Sequence, residues 1–300
     1  MSNKKNIVKF ELSGGIGNQL FQYSAGKYYE ARCKFDVVFS EGVTKHSHRK
    51  WDRPISKLFK HESINLGEAL ISRPMSVLKR LDRKLVKHIG LYSKFRQVYL
   101  AQEIGYIQEE PDFNEYKIIS GYFQSYLYAE HSRESIVKNL NGLTTSCWTR
   151  EKITEAESIK PIAVHVRRGD YVNQSNRYGL LGEEYYLEAL SKLITSIGDR
   201  TIWIFSDGHD HVLESRIREK YRTVVINKPS DTDDLEVLLI MSKCFAHVIA
   251  NSTFSWWAAF LSDSSQQVYA PRPWTVSRIN PGSLIPPHWK TINSGLITKL

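Results

Sequence analysis

The sequence predicts an α/β protein of two Rossmann-like domains facing a cleft, and three observations predict it. The chain has 300 residues, room for two domains of the usual ~100–200 residues each. Its first half opens on strand, glycine-rich turn, helix and strand, and its second half alternates short apolar runs with longer helix-like stretches. Such alternation implies parallel sheets, because parallel strands need a crossover, usually a helix, between them.

Taken in order, residues 7–12 (IVKFEL) read as a strand, 13–18 as a glycine-rich turn, 19–31 as a helix and 37–39 as a strand. From Lys45 to about Arg96 the chain turns polar, basic and mostly helical, and Arg73–Arg96 holds eight Lys or Arg against one acid, Asp82. Leu78, Leu81, Leu85 and Ile89 recur there at helical spacing between basic residues, which predicts a basic amphipathic helix. Such a helix lies either on its own domain or against an anionic membrane surface. The polar stretch 144–160 ends at Pro161, before the apolar run 162–166. It sets the domain boundary: 1–150 as an α/β domain with a basic helical insertion over about 45–100, and 151–300 as the second domain.

In the second domain, strands are predicted at 162–166, 202–205, 224–226, 247–250 and 268–270. Helices at 183–197, 211–221, 235–243 and 253–261 alternate with them, which is the pattern of a doubly wound sheet. The Pro-rich segment 271–287 reads as an ordered surface loop.

Composition narrows the function. With 41% hydrophobic and 24% charged residues the chain is neither disordered nor a membrane bundle. Its most apolar stretch, 235–261, is broken by Glu236, Lys243, His247 and Asn251, so no spanning helix is expected. The N-terminus leaves no room for a signal peptide, so a cytoplasmic protein is expected, peripheral at the inner membrane face if the basic helix docks there. Three widely spaced cysteines (Cys33, Cys147, Cys244) support neither a disulfide framework nor a zinc site. The formal charge of +9 favours acidic partners. Only Tyr92 and Phe95 interleave the basic run, which argues against nucleic acid.

Three segments carry chemistry. Gly14-Gly15-Ile16-Gly17-Asn18-Gln19 follows a strand and opens a helix, so its backbone can approach a ligand and present N–H groups to an anion. It matches neither the dinucleotide nor the Walker pattern, and a purely structural turn is the competing reading. His165-Val166-Arg167-Arg168-Gly169-Asp170 ends a strand where open α/β sheets bind ligands. Arginine forks bind phosphate oxygens bidentately and stay charged, so the pair can neutralise a departing diphosphate without a metal. The competing reading is a structural ion pair with Asp170. Asn251-Ser252-Thr253-Phe254-Ser255-Trp256-Trp257 ends a strand and starts a helix; its hydroxyls either face a phosphate or ribose or cap the helix, and its tryptophans pack in a core. Asp231-Thr232-Asp233-Asp234 has metal-like spacing but stands before a helix, where acids cap, so no metal is expected.

Together, residues 14–23 (GGIGNQLFQY), 165–171 (HVRRGDY) and 250–259 (ANSTFSWWAA) resemble the α-1,2-fucosyltransferases of glycosyltransferase family 11, in order and spacing across nearly the whole chain. The resemblance implies a GT-B-type fold, GDP-β-L-fucose as donor, inversion, and no cofactor or required metal. It places Arg167 and Arg168 on the GDP phosphates as leaving-group stabilisers, with His165 supporting the nucleotide. Ser252, Thr253 and Ser255, beside Asn251, would face the donor's phosphates or ribose. Asn18 and Gln19, with Gly15 and Gly17, would reach the cleft from the other domain. Asp207, after the strand 202–205, is a further cleft residue. The family's usual acid five residues before the serine of the preceding helix is Val237 here, counting back from Ser242, which leaves Glu236 and Asp234 for guanine recognition. Asp170, Glu11 and Glu183 are the local carboxylates for a general base, Asp170 preferred because it shares the motif. The expected partners are GDP-fucose and a β-galactoside-terminated glycan, lipid-linked if the helix within Arg73–Arg96 meets a membrane. The competing functions are transfer from another nucleotide sugar on the same fold, and a non-enzymatic basic membrane-binding module.

Overall fold

The computed structural model describes residues 6–33, 35–41, 54–59, 98–101, 104–108, 112–208, 210–262, 267–276 and 281–298. The basic run Arg73–Arg96 lies outside them, so the predicted amphipathic helix and its membrane contact do too. The chain divides into two compact units, Met1–Ser135 with Pro281–Leu284, and Ile136–Asn280 with Ile285–Leu300.

In the first unit β1 (Asn6–Leu12) leads through a glycine turn into α1 (Ile16–Arg32), followed by β2 (Phe35–Glu41), a short α2 (Pro54–Leu58), β3 (Val98–Leu100) and β4 (Ile118–Ser120). The strands form a parallel sheet in the order β2-β1-β4-β3. Gly14 turns the chain at φ +78, a conformation that side-chain-bearing residues rarely adopt. With the reversal complete at Gly15, helix α1 starts at Ile16, ahead of the predicted Gln19. Its buried face (Leu20, Phe21, Tyr23, Ala25) packs into an aromatic core in which Phe10 meets Tyr29, Phe39 and Phe123.

Helix α3 (Tyr126–Asn141) spans the division between the units. The polar, helix-like stretch from which the sequence sets its boundary at 150 is a helix, α4 (Cys147–Ile159), within the second unit, and its N-terminus is capped by the Ser146 hydroxyl accepting from the Thr149 N–H. The chain passes between units inside a continuous helix carrying buried Ile136 and Leu140, so no break in pattern marks the spot.

The second unit then runs β5 (Ile162–Val166), a 3-10 turn (Gly169–Gln174), α5 (Ser175–Tyr178), α6 (Glu183–Ile197), β6 (Ile202–Ser206), α7 (His211–Lys220) and β7 (Thr223–Val225). It continues with α8 (Asp234–Ser242), β8 (Ala246–Val248), α9 (Thr253–Leu261), β9 (Val268–Arg272) and β10 (Lys290–Asn293). The sheet is parallel throughout, ordered β10-β9-β8-β5-β6-β7. Counted from β5 as one, this is 6-5-4-1-2-3, the doubly wound order, with its switch point between β5 and β8. Helices cover the sheet, which is why all five residues of β5 are buried and its sequence shows no polar alternation. The predicted loop 271–287 is partly strand, since β9 reaches Arg272, and β10 follows it as an element the sequence does not announce. The paired tryptophans are core: Trp256 and Trp257 are wholly buried and meet edge to face. No helix among the described residues is long and apolar enough to cross a membrane.

Candidate functional site

A pocket of about 640 Å³ opens at the C-terminal edge of the second unit's sheet, beside the switch point. His165 and Arg167 from the end of β5 and Phe205 to Gly208 from the end of β6 form one side. Val225 to Lys228 after β7, Asp234 and Val237 of α8, and Phe254 of α9 form the other. The lining is mixed, with Phe205, Val225, Ile226, Val237 and Phe254 beside both cationic and anionic side chains, a composition that suits a planar base attached to something anionic.

Arg167 is held by two carboxylates. One terminal nitrogen donates to Asp170 Oδ1 at 2.6 Å and the other meets Asp207 Oδ2 at 2.7 Å. Its guanidinium lies 5.0 Å from the centre of the Tyr171 ring, and Tyr171 is fixed by donating its hydroxyl to the Asn251 carbonyl at 3.0 Å. Burial is the main cause that raises the Tyr171 pKa, so this hydroxyl stays a donor at neutral pH. Among the described residues Arg167 Nε is buried without a partner. The ion pair with Asp170 that competes with phosphate binding in the sequence is therefore present, and Asp207 joins it, yet Arg167 still faces the pocket.

Arg168 is turned elsewhere. Its Nε donates to Asp210 Oδ2 at 2.7 Å, one terminal nitrogen to the Leu181 carbonyl at 3.0 Å and the other to the Arg167 carbonyl at 3.2 Å. It does not line the pocket. Burial pushes the Asp210 carboxyl up, and the Leu213 N–H with the hydrogen bond and charge of Arg168 outweigh it, so its pKa falls below the ordinary value.

His165 is 4% exposed, lines the pocket and lies 5.9 Å from the Phe254 ring. Burial, with the nearby charge of Arg167, pushes its pKa down to about 3, so the imidazole is neutral and can exchange a hydrogen bond but not a charge with a ligand. In the hydroxyl segment two side chains are engaged within the fold. Asn251 directs its amide to the carbonyls of Tyr178 and Gly179, and buried Ser255 donates to those of Ala250 and Ser252. Both brace the loop and the helix start. Ser252 stands at the N-cap of α9 and Thr253 opens the helix, but Phe254 is the residue of this segment that lines the pocket.

Two further lining residues, Asp234 and Lys228, pair with each other. Glu236 points away: it accepts from the Ser146 N–H at 2.7 Å and the Ser146 hydroxyl at 2.9 Å, helping to cap α4. Asp233 caps its own helix by accepting from the Leu235 N–H at 2.9 Å, as expected of an acid before a helix. Lys228, Asn227 and Phe254 are pocket residues that the sequence does not single out, because each is ordinary in its local pattern. Glu183 is paired with Arg216 at 3.8 Å and does not line the pocket.

The first unit has its own polar group at the C-terminal edge of β1 and β4. Buried Glu11 accepts from the Ser120 hydroxyl at 2.5 Å, and Gln22 donates to Ser13 Oγ at 3.1 Å and to the Gly121 carbonyl at 2.9 Å. In the glycine turn Gln19 donates to the Gly14 carbonyl at 2.9 Å, and Asn18 accepts from Gln124 at 3.0 Å. Gly15 is the N-cap of α1 and Gly17 lies in its first turn. One carboxylate among amides and hydroxyls suits a neutral polyhydroxyl ligand better than a phosphate.

Residues 108–292 match the family described as Glycosyl transferase family 11. The alpha-1,2-colitosyltransferase of Escherichia coli is 25% identical over 292 residues, covering 90% of this chain and 92% of that protein. The O-antigen biosynthesis glycosyltransferase WbnK of Escherichia coli is 25% identical over 297 residues, covering 88% and 93%. Among solved structures, the fucosyltransferase NodZ from Bradyrhizobium is similar at a TM-score of 0.48 and 12% identity, covering 87% of this chain and 94% of that one. POFUT1 in complex with GDP is similar at 0.44 and 14%, covering 90% and 99%.

Proposed function

Because the chain belongs to glycosyl transferase family 11, we propose that it transfers L-fucose from GDP-β-L-fucose to the 2-hydroxyl of a terminal β-galactoside, in surface polysaccharide synthesis of the O-antigen kind. The observation that carries this reading is Arg167, an arginine that lines the pocket just past the end of β5, where open α/β sheets bind ligands. As the glycosidic bond breaks, charge grows on the departing GDP, and a cation already in place stabilises it without reorganising. The neutral His165 and the Phe254 ring would support the nucleoside, and Asp234 rather than Glu236 is the acid available to the guanine edge.

The acceptor hydroxyl attacks in line, inverting the anomeric centre, and most of the rate comes from positioning and electrostatics. Asp170 is a counter-ion of Arg167 and, as the carboxylate of the same motif, the group we assign to take the acceptor hydroxyl's proton. The protein works in the cytoplasm without a metal. One relative is named for colitose, a sugar that lacks the 3-hydroxyl of fucose, so colitose is the second donor to consider.

Transfer should be assayed from GDP-fucose, GDP-colitose, UDP-galactose and an ADP-sugar to a panel of β-galactosides, with and without chelator. Only the GDP-linked deoxy sugars should serve, and chelator should leave the rate intact. Arg167→Lys should cut kcat/KM by about a hundredfold, because the planar fork is lost. Equal use of UDP-galactose, or a near-normal Arg167→Lys enzyme, would sink the reading.

A further inference from the structure

The geometry points to a division of labour within the arginine pair: we propose that Arg168 is a positioning residue, and that of the two only Arg167 meets the diphosphate. This rests on the reading of Arg167 given above. All three nitrogens of the Arg168 guanidinium already have acceptors, on three different segments: the Arg167 carbonyl after β5, the Leu181 carbonyl before α6, and the Asp210 carboxylate before α7. Its side chain is 13% exposed and does not line the pocket, whereas Arg167 does. A guanidinium fork can bridge such widely separated acceptors because its donors are fixed in one plane.

The bridge extends on both sides. Asp210 uses its other oxygen to accept from the Leu213 N–H at 3.0 Å, so one carboxylate caps α7 and holds Arg168 together. The Arg168 backbone N–H donates to Asp207 Oδ1 at 2.7 Å, while Asp207 Oδ2 holds Arg167 at 2.7 Å. Arg168 thereby ties the loops after β5 and β6 to each other, and the register between those loops sets the direction in which Arg167 points. Loss of Arg168 should weaken phosphate binding although it touches no phosphate.

A double-mutant cycle separates the roles, using Arg168→Lys, Asp210→Ser and the double variant, with Arg167→Lys alongside. Serine keeps an N-cap acceptor for Leu213 but withdraws the partner of Arg168. Affinities for GDP and for guanosine, which lacks the phosphates, are measured on each folded protein, with kcat and KM for transfer. The proposal expects Arg168→Lys and Asp210→Ser each to weaken GDP binding about tenfold, with the double variant no worse than either, and guanosine binding kept. If Arg168→Lys weakens GDP binding while Asp210→Ser leaves it unchanged and the double variant adds nothing beyond Arg168→Lys, Arg168 is a direct phosphate ligand and the proposal fails. If GDP and guanosine weaken in parallel, the role is general stability and it fails as well. If Arg167→Lys leaves GDP affinity untouched, the underlying reading of Arg167 falls and takes this proposal with it, an outcome distinct from the other two.

Discussion

At the end of β5 the two-residue alternation of the strand still governs direction: His165 and Arg167 face the pocket, and Arg168 between the next loops faces away. The sequence singles out His165 and Arg167, which line the pocket, because they stand at a strand end of an open α/β sheet. Which arginine lines the pocket is not legible there, since it depends on acceptors 13 and 42 residues from Arg168, at Leu181 and Asp210. Asn251 and Ser255 are ligand groups by type, and in the fold their donors go to neighbouring carbonyls. Gly169 shows how close the fit is. A β-carbon there would lie 2.3 Å from Asp207 Oδ2, a carboxylate already anchored by Arg167 and by the Arg168 N–H. Gly169→Ala should therefore cost about 1–3 kcal/mol of stability, and it should weaken GDP binding by displacing Asp207 from Arg167. Urea midpoints and GDP titration check this, and an alanine variant equal to wild type in both would show that the loop yields freely.

Helix α8 carries two acids, two residues apart, whose duties differ because each lies on a different face of the helix. Asp234 reaches the pocket, while Glu236 reaches back to the N-terminus of α4, where burial raises its pKa but the hydrogen bonds from Ser146 and Thr149 prevail and lower it. Glu236→Ala should cost about 1–2 kcal/mol in unfolding while GDP affinity stays unchanged. Asp234→Ala should do the reverse, with little change in stability and weaker discrimination of GDP from ADP. A loss of guanine preference in Glu236→Ala would return that acid to base recognition. Helix α6 is legible because Tyr185, Tyr186, Ala189, Leu190 and Leu193 form a buried stripe at helical period, whereas α8 and α9 are buried nearly all round and follow from the alternation with strands. Strands β3, β4 and β10 are not legible, being three or four residues long and, in β4 and β10, half open to solvent, too short for alternation to register.

Over the whole molecule, two parallel sheets followed from alternation alone, while the passage between units inside α3 had no compositional mark. The deep burial of that parallel architecture has a consequence for stability. His247 on β8 is fully buried with Nε2 at 2.9 Å from the Met241 carbonyl, and burial pushes its pKa down to about 4 despite that bond; His165 is pushed down to about 3. Between those values and the ordinary histidine pKa of about 6.5 the unfolded chain binds protons that the native protein refuses, so stability rises with pH through this window and is level above it. Asp210 and Glu236, whose values are lowered, give up their contributions only below the ordinary carboxylate range, so a step from pH 7 to pH 5 reports mainly on the histidines. That step should lower the unfolding free energy by on the order of 2–4 kcal/mol, seen as a shift in the urea midpoint with little change in slope. His247→Gln should remove roughly half of the step, because the side chain no longer titrates. A midpoint that stays level from pH 7 to pH 5 in the wild-type protein would mean that these imidazoles accept protons without unfolding, and that the sheet interior is more open to water than its packing implies.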